Sequence, residues 1–249
     1  MRPPRPSRIL PSLLLAVLTP LASAQTEPHA DWLAREKALT EALIQTPNSL
    51  SLLSRRGDFR QFLGQPEQAV ADYERMIQID PAQDAPHWRL GIAYYFAGAF
   101  SKAALQFQKY HAYDGRDREN GLWKFFSQAR AEGLDAARRD MLLYKEFDRE
   151  PFPSLYAMCA GKMPPDEVLK EVETKGLQNQ RQVVFFAKYY VGLYLCLLDQ
   201  KSEGLALVKE AVRLFSPSEA AVDGPGYMWQ VARLHAEALG REIQNPQKR

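Results

Sequence analysis

The chain has 249 residues, with 32 lysines and arginines against 30 aspartates and glutamates, and 46% of its residues are hydrophobic. That length and hydrophobic content fit one large domain or one repeat array with an ample core. A formal net charge of +2 excludes the strongly basic surface that attracts nucleic acids and anionic membranes.

The first 24 residues have the pattern of a secretory signal peptide. Three arginines within the first eight residues precede the apolar run Ile9 to Leu21, and Ala22-Ser23-Ala24 supplies the small residues of a cleavage site. A membrane-spanning helix needs about 20 apolar residues, and this run is shorter and contains proline. We therefore predict cleavage before Gln25, a periplasmic or secreted product, and no membrane insertion. Without its three arginines, the mature chain balances 29 basic against 30 acidic side chains.

Helical spacing and then an internal repeat follow the signal segment. Apolar residues recur at helical intervals over Asp31 to Gln45, which predicts a first helix packed beneath the repeats. A step of 34 residues then relates four pairs of the same or similar residue type: Gly57 and Gly91, Gly64 and Gly98, Ala69 and Ala103, and Tyr73 and Phe107. A 34-residue period is typical of two-helix repeats.

Each repeated position has a physical role in a pair of packed helices. Gly57 and Gly91 are predicted where the first helix of a pair passes closest to the second, because a side chain there would separate them. Gly64 and Gly98 are predicted in the turn between the helices, where positive φ favours glycine. Pro81 ends the second helix of the first clear repeat.

The pattern weakens but continues toward the C-terminus. We predict a helix pair over Gly121 to Gly133 and Leu134 to Phe147, and then a break at Pro151 and Pro153. Further helices are predicted over Leu155 to Ala160, from Pro165 onward, Val183 to Leu198, Glu203 to Leu214, and Tyr227 to about Leu239. The last helix has one polar face and suits a cap that covers the open end of the array.

These features resemble the tetratricopeptide-repeat (TPR) family, specifically over Leu50 to Asp114. The layout of two good repeats, a degenerate one, a proline-rich middle and the late stretch FFAKYYVGLYLCLL is similar to the bacterial NlpI-like TPR lipoproteins, although no lipid-attachment cysteine follows the apolar run. The resemblance implies an all-α TPR-type solenoid of antiparallel helical hairpins. Members of that group are cell-envelope adaptors that bring proteases to peptidoglycan-remodelling enzymes.

The predicted organisation divides the chain into five parts. These are the signal peptide (1–24), an N-terminal helical segment (25–47), the TPR repeats (48–150), a proline-interrupted connector (151–182), and a further repeat with the capping helix (183–246).

No motif in the sequence predicts catalysis, a cofactor or a metal. The four histidines do not form an HExxH or H-x₃₋₅-H pair, and CxxC, GxSxG, P-loop and GxGxxG motifs are missing. We therefore predict a non-enzymatic protein. Cys159 and Cys196 would meet an oxidising compartment, and the sequence leaves open whether they form a disulfide or remain small buried thiols.

The repeat register predicts which side chains line the concave side of the array. The set is strongly aromatic, and we call it the aromatic groove: Phe62, Trp88, Ile92, Tyr95, Phe96 and Phe126. An open groove of this kind suits an apolar peptide or helix of a protein partner, such as an envelope protease or a peptidoglycan-remodelling enzyme. Alternatively, the protein is a structural subunit whose groove is filled by its own C-terminal half or by a second copy in a homodimer.

Overall fold

The structure, a computed structural model, describes residues 26–146 and 148–245, and over these ranges it is all-α without any strand. The predicted signal peptide, its cleavage site and Phe147 lie outside the described residues. The helices are α1 (Thr26–Gln45), α2 (Leu50–Phe62), α3 (Pro66–Ile79), α4 (Trp88–Phe96), α5 (Phe100–Tyr113), α6 (Arg118–Glu132), α7 (Leu134–Arg139), α8 (Phe152–Cys159), α9 (Pro165–Thr174), α10 (Arg181–Leu197), α11 (Lys201–Arg213), α12 (Pro217–Val222) and α13 (Tyr227–Gln244), with a 3₁₀ turn at Pro81–Gln83.

Local sequence signals set the ends of the helices in the first repeat. The Ser49 side chain accepts a hydrogen bond from the backbone N–H of Leu52 and so caps the start of α2. Pro66 occupies the first turn of α3, where its missing N–H costs nothing. The helix α3 ends at Ile79, two residues before Pro81, because proline disfavours a helical conformation in the preceding residue.

The repeated glycines have the geometry that the 34-residue period predicts. A Cβ placed on Gly57 would lie 2.5 Å from the Tyr73 ring, and one on Gly91 would lie 2.6 Å from the Phe107 ring. In both pairs the glycine is on the first helix and the buried ring is on the second. Gly64 and Gly98 have φ values of 73° and 75° in the turns between the helices. The close approaches and the left-handed turns are therefore confirmed.

The third helix pair differs from the prediction. The second helix was predicted over Leu134 to Phe147, but α7 ends at Arg139 and the backbone then becomes irregular. Two buried side chains of α6 hold the chain at Asp140: Lys124 Nζ donates to its carbonyl oxygen at 2.7 Å, and Gln128 Nε2 donates to its carboxylate at 2.6 Å. These bonds satisfy the helix end and direct the following residues away from the helix axis.

A tyrosine from the irregular segment after α7 packs against α6 at Gly121. The Tyr144 hydroxyl lies 2.5 Å from the position of a Cβ on Gly121, so this glycine again allows a ring to approach closely. The same hydroxyl donates to the carbonyl of Asp117 at 3.1 Å. The third pair thus keeps the glycine-to-ring contact of the first two, although 23 rather than 16 residues separate its partners.

The second half of the chain is built around α10 and α11. Gly192 and Gly204 face each other, and a Cβ on either would lie 2.7 or 2.5 Å from the backbone oxygen of the other. This absence of side chains lets the two helices pack backbone to backbone. Cys159 and Cys196 are not bonded to each other in the structure. The short helix α12 was not predicted; a reciprocal capping box between Ser216 and Glu219 stabilises its start.

The last helix returns to the beginning of the array. α13 packs along α11 and also contacts α2. The Arg233 guanidinium donates through Nη2 to the carbonyl oxygen of Phe62, the last residue of α2, at 2.6 Å, and it lies over the Trp32 ring of α1 at 5.1 Å. α13 therefore joins the two ends of the chain. Among the described residues, no helix is long and apolar enough to cross a membrane.

The aromatic groove as a candidate functional site

The residues of the predicted groove lie on α2, α4 and α6, and all of them are at least partly buried. Ile92, Tyr95 and Phe126 are buried, whereas Phe62, Trp88 and Phe96 retain intermediate exposure. The repeat register thus selected an inward-facing set. The structure places other parts of the same chain against it.

Helix α13 occupies the groove along most of its length. The Tyr227 ring lies between two groove residues, with its centroid 5.0 Å from those of both Phe62 and Trp88. Two turns later, the His235 ring lies 5.5 Å from Tyr95 and 4.5 Å from Phe96. The first three of these contacts are edge-to-face and the Phe96–His235 pair is tilted; ring pairs at these separations are favourable. An amphipathic helix of the chain itself is therefore the occupant of the groove in this structure.

Phe126 belongs to a different contact. Its ring stacks on Tyr190 of α10, with centroids 6.0 Å apart and planes only 13° from parallel. The structure therefore brings Phe62, Trp88, Tyr95 and Phe96 together along α13 and separates Phe126 from them. Phe126 was assigned to the groove by extending the 34-residue register to the third helix pair, which departs from that spacing.

Sequence reasoning missed the residues that fill the groove. Tyr227, Arg233 and His235 all lie on α13, the predicted capping helix; the sequence allowed the C-terminal half to fill the groove but did not single out these three residues. Tyr227 and His235 are eight residues apart, so they lie two turns apart on nearly the same face of the helix. That pattern was available in the sequence as an aromatic stripe, but nothing local indicated that it would contact residues more than a hundred positions earlier.

His235 is a titratable group of α13 whose pKa is strongly shifted by its position in the groove. Burial, together with the smaller effect of the positive charge of Arg130, lowers its pKa to about 3. Its Nδ1 lies 2.7 Å from the hydroxyl of Tyr189, and its ring is stacked on Trp123 with centroids 5.9 Å apart. The imidazole is therefore neutral at physiological pH and forms part of the packed aromatic layer between α4, α10 and α13.

A partly buried ionic network borders the other side of this layer. Glu119 accepts hydrogen bonds from Tyr190 Oη at 2.7 Å and from Arg149 Nη2 at 2.5 Å. Burial raises the pKa of Glu119 to about 7, and the charge of Arg149 opposes that rise. The network joins α6, α10 and the segment before α8. Because each polar group of the network has a partner, the network holds these elements in a fixed arrangement.

Neither the structure nor comparison with known families assigns a chemistry to this region. Within the described ranges, no three or more histidine, cysteine, aspartate or glutamate side chains are grouped so that they could hold a metal ion. No family model matches the chain. The interpretation of the site therefore depends on the geometry of the groove and its helix.

Proposed function

We propose that the protein is a TPR-type interaction scaffold of the bacterial cell envelope, periplasmic or secreted, whose aromatic groove binds an amphipathic helix of a protein partner. The resemblance to NlpI-like adaptors implies that this partner is an envelope protease or a peptidoglycan-remodelling enzyme. The proposal includes no catalytic step, no cofactor and no nucleic acid.

The observation that carries the proposal is the helix already seated in the groove. α13 presents Tyr227 and His235 to the aromatic residues of α2 and α4, as a helical ligand presents anchors at successive turns. Arg233 adds a polar contact at the groove end by donating to the Phe62 carbonyl. A partner helix with the same arrangement of one aromatic anchor and one cation could replace α13.

The segment before α13 supports such an exchange. The sequence Gly224-Pro225-Gly226 precedes the helix, and Gly226 has a φ of 53°, a conformation that glycine adopts readily. A helix joined through such a segment competes with a partner at an effective concentration on the order of millimolar. A partner helix must therefore bind tightly, or α13 must be weakened, before exchange is observed.

A second function is favoured by the burial of α13. Trp229, Val231 and Ala232 are buried, and the Trp229 indole donates to the carbonyl of Val212 on α11 at 3.0 Å. If α13 never leaves the array, the groove is core and the protein is a structural or self-associating subunit. The two functions differ in whether the groove accepts a helix in trans.

The experiment that tests the proposal uses α13 itself as the probe. A fluorescent peptide of residues 226–245 is titrated against the mature chain by anisotropy. In the parent, intact α13 should exclude it. In Tyr227→Ala, the resident helix loses its two aromatic contacts, and the wild-type peptide should bind at least about tenfold more tightly than to the parent.

Two further variants make the outcome decisive. Adding Trp88→Ala to Tyr227→Ala removes the groove partner of the anchor and should abolish the gain in peptide binding. Tyr113→Ala, at an exposed tyrosine of α5, is the matched control and should behave as the parent. Circular dichroism verifies that each variant is folded. A folded Tyr227→Ala protein that loses thermal stability without gaining peptide affinity would favour the structural subunit.

A further inference from the structure

A cavity of about 710 Å³ lies beside the groove, between α4, α6, α10, α11 and α13. Cavities of this size accommodate small organic ligands. Leucines line part of the cavity, and the rest of its wall includes Tyr95, Arg130, Cys196, Lys201, His235 and Glu242. Tyr227 and its ring partners Phe62 and Trp88 do not line this cavity.

The apolar part of the cavity is formed by leucines from two helices. Leu193 and Leu197 are one turn apart on α10, and Leu239 faces them from α13. Leu193 and Leu239 are buried, so their side chains form a fixed wall. A ligand must therefore carry an apolar portion to fill this part of the space.

Among the described side chains that line the cavity, Arg130 and Lys201 are cationic and Glu242 is anionic. Lys201 Nζ pairs with Glu242 at 2.8 Å. Arg130 lies over the Phe100 ring at 4.6 Å, and none of the ion pairs formed within the described part of the chain includes it. His235 is neutral, as described above. One anionic group on the ligand would therefore balance the site.

Two uncharged polar groups lie close to Arg130. Its guanidinium is near enough to the Tyr95 hydroxyl to oppose the rise that burial causes in the pKa of that tyrosine. His235 is 6% exposed, and its Nε2 is buried with no hydrogen-bond partner among the described residues. When Tyr189 donates its hydroxyl hydrogen to Nδ1, Nε2 carries the proton and is a donor. Arg130 and the Tyr95 hydroxyl thus offer donors on one side of the cavity, whereas His235 Nε2 is enclosed by protein.

We propose that this cavity binds a small carboxylic acid with an apolar tail. The carboxylate accepts hydrogen bonds from Arg130, whose planar guanidinium matches it, and from the Tyr95 hydroxyl. The tail lies against Leu193, Leu197 and Leu239. Lys201 remains paired with Glu242 at the rim, so a dianion such as a phosphate monoester would leave one charge without a counterpart.

The two cysteines supply a direct assay. Cys196 lines the cavity and is partly exposed, whereas Cys159 is fully buried elsewhere in the core. Decanoate, below its micelle concentration, should slow maleimide labelling of Cys196 by about tenfold or more at saturation. Cys159 should stay unlabelled by intact-mass analysis, which shows that the protein remains folded. Decanol, with the same tail and no charge, should protect much less.

A charge substitution tests the assigned carboxylate contact. Arg130→Gln should raise the concentration of decanoate that gives half protection by roughly tenfold, which is the loss in affinity expected for one charge-assisted hydrogen bond. The concentration of decanol that gives half protection should not change. Arg55→Gln, at an exposed arginine of α2, is the matched control. Equal protection by decanol and decanoate, or equal weakening in the Arg55→Gln control, would overturn the proposal, as would labelling of Cys196 at an unchanged rate.

Discussion

The close approach at Gly91 allows a quantitative test of the repeat geometry. In Gly91→Ala, the new methyl group would lie 2.6, 2.8 and 2.9 Å from three atoms of the Phe107 ring, all inside van der Waals contact. The ring has 0% exposure and is stacked on Trp123, with centroids 6.0 Å apart and planes 22° from parallel. It therefore has no space into which it can swing.

The expected change in the free energy of unfolding is the sum of two opposing terms. Overpacking a rigid core costs about 1–3 kcal/mol, and the blocked ring places this substitution near the upper value. Alanine gains about 1 kcal/mol over glycine in helix preference. The net destabilisation should be about 2 kcal/mol. Gly240→Ala on α13 is the control, because nothing lies within 4 Å of its Cβ position, and it should gain about 1 kcal/mol.

Urea unfolding monitored by circular dichroism measures both variants under the same conditions. With a slope of about 2–3 kcal/mol per molar, the midpoints of the two variants should differ by about 1 M. A Gly91→Ala protein as stable as the Gly240→Ala control would refute the reasoning. It would mean that the Phe107 ring moves freely and that the glycine is not required by the close approach.

Three other outcomes are expected. Because the pKa of His235 is lowered to about 3 in the folded state, the unfolded state takes up the proton first as pH falls below 6.5. Between pH 6.5 and 5, the free energy of unfolding of the parent should therefore fall by about 2 kcal/mol more than that of His235→Gln, as measured by urea titrations. The same pH dependence in both proteins would contradict this. Lys124→Met leaves the Asp140 carbonyl without its donor and should cost about 1–3 kcal/mol, whereas Lys145→Met at an exposed position should be neutral. Mass spectrometry of the secreted protein should find Gln25 as the first residue, and retention of residues 1–24 would disprove the signal peptide.

The parts of the fold that were predictable from the sequence are those fixed by contacts within one repeat. Gly57 with Tyr73, and Gly91 with Phe107, are 16 residues apart, so one helix pair contains the whole interaction. Periodicity and turn glycines report such contacts directly. The same reasoning located α10 and α11 to within a few residues, and their helical spacing is continuous.

The structure differs from the sequence-based prediction in two places: where side chains of a neighbouring helix end α7, and where a distant helix packs on the groove. Ending α7 depends on Lys124 and Gln128, which are buried polar residues of the preceding helix and carry no sequence mark of a helix stop. The position of α13 depends on which of several apolar surfaces its face with Tyr227 and His235 packs against. Amphipathic spacing predicts that such a face is covered, but its partner is decided by the assembled array.

The bond from Arg233 to the Phe62 carbonyl spans 171 residues, and this separation has a kinetic meaning. In an open stack of repeats each unit touches only its neighbours, so terminal units can unfold alone and folding can begin anywhere. A helix that returns to the first repeat removes that freedom, since releasing either end exposes surface on both. The chain should then unfold in a single cooperative step, and it should fold more slowly than an open array of equal length, because the most distant contact must close late.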